Sequence, residues 1–373
     1  MRDAVSTDGL LVQEMSTGFG KTQVLHGVTL GVEPGETLVL FGPSGAGKTV
    51  LLRAIAGLDP NAVGRVFIAG RDVSMVGPER RGIGVAFQNF ALYPHMSAME
   101  NIASPLHARK LPEAEIAEKV GRIARLLKID HVLAQQPRAL SNGQKQRTAL
   151  ARALVGAPKV LLMDDPLRNV DAKLRYEMRM ELPRLLRQAG AASIYVTQDY
   201  REAMALGDRI AVLIEGHIVQ LDAPEQVYAA PASVAVARLF GDPPLNLLPC
   251  TPKVTGDGLT VRLFGLDLAL PMAAGIAGRD ALLGLRPESI GILGAPAPGA
   301  ARATLTAATP LHGKVVLLLR TPEGEEILAS QVGQPPETGS TVWFRPAPET
   351  ALLYDAASGL LTLHAGATTE EAA

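Results

Sequence analysis

The sequence predicts an α/β protein. It should have a mostly parallel sheet with helices on its faces, a helical subdomain inserted into that sheet, and a β-rich domain behind it. Three observations carry this expectation. Residues 36–41 (Glu-Thr-Leu-Val-Leu-Phe) form a short apolar run that leads straight into the glycine-rich segment Gly42-Pro43-Ser44-Gly45-Ala46-Gly47-Lys48-Thr49. Two more short apolar runs, 160–163 and 193–197, each end at polar residues, as buried strands alternating with helices do. Beyond about residue 240, helical periodicity fades and apolar residues alternate with polar ones.

The elements follow in order. After the glycine-rich segment, Leu51, Leu52, Ala54, Ile55 and Ala56 predict a helix that stops at Gly57, giving strand, turn and helix in sequence. From about 98 to 153 the pattern is helical, with Ile116, Val120, Ile123, Leu126 and Leu127 near helix spacing. Gly241-Asp242-Pro243-Pro244 reads as a domain boundary. Behind it, Leu259, Val261 and Leu263 alternate until Gly265. The phase then slips by one residue to Leu266, Leu268 and Leu270, the mark of a tight turn or bulge. Residues 315–320 and 327–329 flank Thr321-Pro322-Glu323-Gly324 as strand, turn and strand, so a small β-barrel arrangement is expected. The end, from Gly366 to Glu371, reads as a disordered tail.

Composition narrows the class. The 373 residues are 47% hydrophobic and 20% charged, which suits a packed globular chain long enough for two domains. A net charge of −1 gives no broad basic field for nucleic acid or an anionic membrane surface. The single cysteine, Cys250, excludes an internal disulfide and fits a reducing compartment. Residues 1–8 lack the apolar core of a secretory signal, and no uncharged apolar stretch reaches the ~18 residues a membrane span needs.

The glycine-rich segment carries chemistry. Its glycines let the backbone curl so that successive amides face phosphate oxygens, and the following helix adds its positive end. Lys48 is expected at the β- and γ-phosphates of a nucleoside triphosphate, and the Thr49 hydroxyl at Mg²⁺. Asp164 closes the apolar strand where P-loop ATPases place the carboxylate that organises Mg²⁺, with Asp165 next to it. Between loop and acidic strand lies Leu140-Ser141-Asn142-Gly143-Gln144-Lys145-Gln146-Arg147.

With these three motifs in this order, the chain resembles the ATP-binding subunits of ABC transporters. The resemblance implies a P-loop NTPase (RecA-like) nucleotide-binding domain over 1–240, with its helical subdomain at about 89–155. An OB-like (TOBE) regulatory domain would follow over 241–373. It also implies site roles. Ser141, Gly143 and Gln144 match the family signature, with Asn142 in place of its first glycine, and would cap the γ-phosphate held by a partner's P-loop. A Ser-Xaa-Gly-Gln run also reads as an N-capped helix with no ligand. Gln88 would ligate Mg²⁺ and sense the membrane partner. The following Phe90-Ala91-Leu92-Tyr93-Pro94-His95 suits a groove for a permease helix, or simple packing. Phe19 stands where the family stacks an aromatic on adenine, though a lone phenylalanine is equally a core residue. Asn169 and Asp171 fit the dimer-contact loop, with Arg168 where serine is usual.

Two departures touch catalysis. Asp165 takes the place of the family's general-base glutamate, and one methylene less shortens its reach by roughly 1.5 Å. Gln198, in Val196-Thr197-Gln198-Asp199, replaces a histidine at the γ-phosphate and can neither carry charge nor relay a proton. Loss of general-base chemistry costs ~10²–10⁴-fold in rate while leaving phosphate binding intact. The expectation is a site that holds MgATP well and hydrolyses it slowly, paired with a non-identical ATPase subunit. A homodimer is the alternative, and a regulatory, mostly non-hydrolytic ATP-binding protein is another.

The runs Phe90–His95, Asp171-Ala172-Lys173-Leu174-Arg175, Gly241–Pro249 and Gly284-Leu285-Arg286-Pro287-Glu288 are similar to the carbohydrate-importer branch. The likeness weakens at Pro310-Leu311-His312-Gly313. The implied setting is peripheral, on the cytoplasmic face of the inner membrane. The implied partners are two permease subunits and, indirectly, a solute-binding protein, for a sugar, polyol, glycerol or related polar solute. A soluble ABC ATPase acting on DNA or ribosomes would carry two cassettes or long coiled coils. This chain shows one cassette and no heptad run.

Overall fold

The computed structural model describes residues 8–256, 258–271, 275–311 and 313–365. The expectations for the first seven residues, for His312 and for the tail from Gly366 lie outside the described residues. Contacts divide the chain into two units, Met1–Pro224 and Glu225–Ala373.

In the first unit, a six-stranded sheet runs His217–Asp222, Arg209–Ile214, Thr37–Phe41, Ala192–Thr197, Val160–Asp164, Ile83–Ala86. All of its pairings are parallel except that of His217–Asp222 with Arg209–Ile214. Every residue of Thr37–Phe41 and of Ala192–Thr197 is buried, because helices cover a parallel sheet on both faces and its strands become continuous apolar runs. Leu38, Leu40, Leu51, Ile55, Val160, Leu162, Ile194 and Val196 share one core. The three strands read from the sequence are present, and the helix after the glycine-rich loop spans Lys48–Ala56, ending at Gly57 with φ 76°.

Residues 10–72 contribute a second, antiparallel sheet that the sequence reading did not foresee, in the order Thr22–Val32, Leu10–Phe19, Val63–Ile68, Arg71–Asp72. The stretch read as helical holds the helices Ala98–Ala108, Glu113–Leu126 and Asn142–Leu154. Two of them begin with a reciprocal capping box, Ser97 with Glu100 and Ser141 with Gln144. No helix among the described residues is long and apolar enough to cross a membrane.

The second unit is built almost wholly from antiparallel strands in three sheets. The phase slip seen in the sequence is a hairpin. Gly258–Leu263 pairs with Leu266–Pro271, and Phe264 and Gly265, at φ 56° and 74°, make the two-residue turn. Lys314–Arg320 pairs with Glu326–Gln331 around the expected turn. Leu259, Val261, Leu283, Leu305, Leu317 and Phe344 meet in one core. Arg286 is buried and donates to the carbonyls of Phe240 (2.7 Å) and Tyr228 (2.7 Å), with its guanidinium 4.0 Å from the Tyr228 ring. Both bonds lie within the second unit, which begins at Glu225, ahead of the glycine-proline run read as a boundary.

Candidate functional site

The loop after Thr37–Phe41 is built for close approach. A Cβ on Gly42 would meet the Leu213 carbonyl oxygen at 2.1 Å, and one on Gly47, at φ 104°, would meet Leu25 at 2.8 Å. The Pro43 carbonyl accepts from the Ala46 amide (3.3 Å), and the buried Ala46 returns its own carbonyl to the Gly216 amide (3.2 Å). Gly47 caps the helix without a side-chain bond, which leaves its first amides free for an anion. Lys48 is buried and folds back over the loop, donating to the carbonyls of Gly42 (2.8 Å) and Pro43 (2.7 Å). Burial pulls its ammonium below the usual lysine range, and Asp165 and Asp164 oppose that shift.

A cleft of about 330 Å³ opens over this loop, lined by Ser44, Gly45, Gly47, Lys48 and Thr49 from one side. Phe19, Gln88, Asp164, Asp165, Arg168 and Gln198 also line it, with Val24, Val50 and Val196. The Thr49 hydroxyl donates to Asp164 (3.0 Å), so the strand end and the helix start are tied across the sheet. Burial raises the carboxyl of Asp164, countered by the Thr49 bond. Asp165 is buried in a left-handed conformation, φ 45°, with its amide donating to the Val196 carbonyl (3.0 Å). Burial raises its carboxyl too, and Arg168, 3.7 Å away, pulls it back down. The oxygen set of Thr49, Asp164 and Gln88 fits Mg²⁺, a hard cation that prefers oxygen ligands and keeps several waters or phosphate oxygens.

Ser141, Gly143 and Gln144 do not line this cleft. The Ser141 hydroxyl accepts from the Gln144 amide (3.2 Å), and the Gln144 side chain accepts from the Ser141 amide (2.9 Å). Gly143 is held against Leu174, where a Cβ would stand 2.6 Å from that side chain.

Gln88 also lines an adjoining space with Phe87 and Ala91, and these two border a groove of about 510 Å³ with Tyr93, Pro105, Arg109 and Arg152. Phe90 and Ala91 both adopt positive φ, 61° and 48°. Arg152, near the end of Asn142–Leu154, secures them by donating to the carbonyls of Ala91 (2.7 Å) and Phe90 (3.0 Å), with its guanidinium 5.5 Å from the Tyr93 ring.

Sequence reasoning passed over two groups. Arg168 was noted only for replacing a serine, although its spacing from Asp165 already allows an ion pair across one turn. Glu202 was not noted at all. It is buried and accepts from Tyr195 (3.0 Å) and Thr197 (2.9 Å), with Arg175 and Arg179 each 3.9 Å away.

Residues 25–168 match the ABC transporter family, and residues 283–353 match the TOBE domain. Fold, cleft and matches together define an ABC-type ATPase with a β-rich C-terminal domain. Among relatives, the sn-glycerol-3-phosphate import ATP-binding protein UgpC of Escherichia coli strain K12 is 41% identical over 362 residues, covering 94% of this chain and 99% of that protein. UgpC 1 of Rhizobium johnstonii is 44% identical over 295 residues, 79% of each. A solved cassette, cbiO1 of Clostridium perfringens, part of the transporter complex cbiONQ, is 28% identical with a TM-score of 0.55, covering 59% of this chain and 90% of that one. The dimeric post-hydrolysis cassette MJ0796, bound to ADP and Pi, is 27% identical with a TM-score of 0.51, covering 58% and 98%. The chain belongs to the ATP-binding subunits of ABC importers, in the carbohydrate-importer branch.

Proposed function

We propose that this subunit binds MgATP between two facing cassettes and uses it to drive a membrane importer, with its own site turning over slowly. The observation that carries this reading is that Lys48, Thr49, Gln88, Asp164, Asp165 and Gln198 line one cleft. The loop from Gly42 to Gly47 cradles the phosphates, Lys48 reaches the β- and γ-phosphates, and the exposed Phe19 ring stacks on adenine. Thr49, Asp164 and Gln88 would hold Mg²⁺, which when bound neutralises charge across the terminal phosphates. Asp165 is the base for the attacking water and Gln198 its uncharged neighbour at the γ-phosphate. Ser141, Gly143 and Gln144, turned away from this cleft, serve the nucleotide held by the opposite cassette.

The solute class follows the relatives, whose names specify sn-glycerol-3-phosphate import. We assign this chain glycerol phosphate, glycerol or a related polyol or sugar. It would dock peripherally on the cytoplasmic face of the inner membrane, with the groove beside Tyr93 and Arg152 receiving a permease segment. Two permease subunits and a solute-binding protein complete the assembly. The comparisons offer no support for the non-identical partner that the altered Asp165 and Gln198 suggest. A second copy of this chain is the other reading, favoured by the solved dimer of a single cassette.

Phosphate release from the purified full chain tests the slow site. Asp165→Glu combined with Gln198→His should raise turnover by about 10²-fold or more. Brisk turnover by the natural chain alone would overturn the slow-site reading.

A further inference from the structure

Arg168 is the one charged group lining the cleft to which the proposed roles give no part. Its guanidinium lies 3.7 Å from Asp165, too long for a hydrogen bond, and the side chain is 54% exposed. No other side chain among the described residues pairs with it. Lys48 lines the same cleft, and its charge and that of Arg168 both act on the short Asp165 carboxylate. Gln198, which lines the same cleft, brings no charge.

We propose that Arg168 is a phosphate-binding residue of this site, leaving Asp165 to clasp the terminal phosphate of a nucleoside triphosphate. A terminal phosphate offers two oxygens to the planar guanidinium fork, a stronger bidentate partner than one carboxylate oxygen at 3.7 Å. The move delivers positive charge where Gln198 has none to give, and it releases Asp165 toward the water. A diphosphate leaves Arg168 on Asp165, so the residue distinguishes ATP from ADP. This rests on the assignment of the cleft to ATP.

Binding of a non-hydrolysable ATP analogue and of ADP, each with Mg²⁺, to the full chain tests it by calorimetry. Arg168→Ser should weaken the analogue about tenfold or more, the loss expected for a charge-assisted bond, and leave ADP within about twofold. Arg168→Lys, which keeps the charge but not the fork, should fall between. ADP binding shows that each variant is folded, and a Ser variant that binds neither nucleotide passes the decision to the Lys variant. Equal losses for both nucleotides, or no loss for the analogue, would overturn the proposal. Brisk turnover by the natural chain would instead remove the slow-site reading and leave this ratio untouched.

Discussion

Gly42 shows how little freedom single positions in the cleft retain. Gly42→Ala would drive a methyl carbon to within 2.1 Å of the Leu213 carbonyl oxygen, which is backbone and cannot step aside. That variant should lose nucleotide binding and about 2–4 kcal/mol of stability, measured by urea titration beside equilibrium binding. Cys250 makes the opposite point. Burial pushes its thiol up to about 11, so thiolate is scarce near neutral pH. Its alkylation should run about 10²-fold slower than that of a free surface thiol, as a timed reaction with iodoacetamide would show. Apart from the isolated Phe19, the residues named from the sequence for this cleft were legible because they sit in contiguous motifs. Lys48 and Thr49 follow the glycines directly, and Asp164 and Asp165 adjoin the strand. Glu202 was not, because the fold brings its side-chain partners Tyr195, Thr197, Arg175 and Arg179 round it, and the Arg168–Asp165 pairing, though local in the chain, does not by itself mark a role.

Between residues and units stand joints that hold one element to the next. The buried Arg81 closes the helix Lys48–Ala56 at its negative end, donating to the carbonyls of Ile55 (2.7 Å) and Ala54 (3.4 Å) and also to Val76 (2.8 Å) and Ser74 (2.9 Å). Arg81→Ala removes all four of these bonds and should cost about 2–4 kcal/mol by urea denaturation. Glu202 joins Ala192–Thr197 to the helix Ala172–Ala189, and burial raises its carboxyl above the ordinary value. A raised carboxyl contributes stability that is complete below its ordinary value and is lost as the pH rises through the raised one. Glu202→Gln lacks that loss, so its stability relative to the natural chain should climb with pH across this window. Thermal melts of both proteins along a pH series measure the difference, and a flat difference would contradict the assignment. Hairpins with clean alternation were readable, as at Phe264 and Gly265. Leu10–Phe19 was not, because Glu14, at φ 51°, breaks the period and the pairing with Thr22–Val32 shifts register three times. A strand interrupted in that way gives no two-residue pattern to find.

At the scale of the whole molecule, every residue lining the cleft proposed for MgATP lies in the first unit. MgATP at about 100 times its Kd should add about 2.7 kcal/mol to whatever unfolding releases it. In hydrogen exchange, the gain in protection should be confined to residues before Pro224, and Lys48→Ala should abolish it. Gains spread evenly into the second unit would contradict this placement. The thirteen-residue helix that opens at Ser141 carries Arg152 near its far end, and Arg152 grips the two left-handed carbonyls beside Tyr93. Such a helix is a strut about 20 Å long that does not stretch. Whatever presses on the Tyr93 side of that strut must therefore also displace Ser141 at the opposite tip.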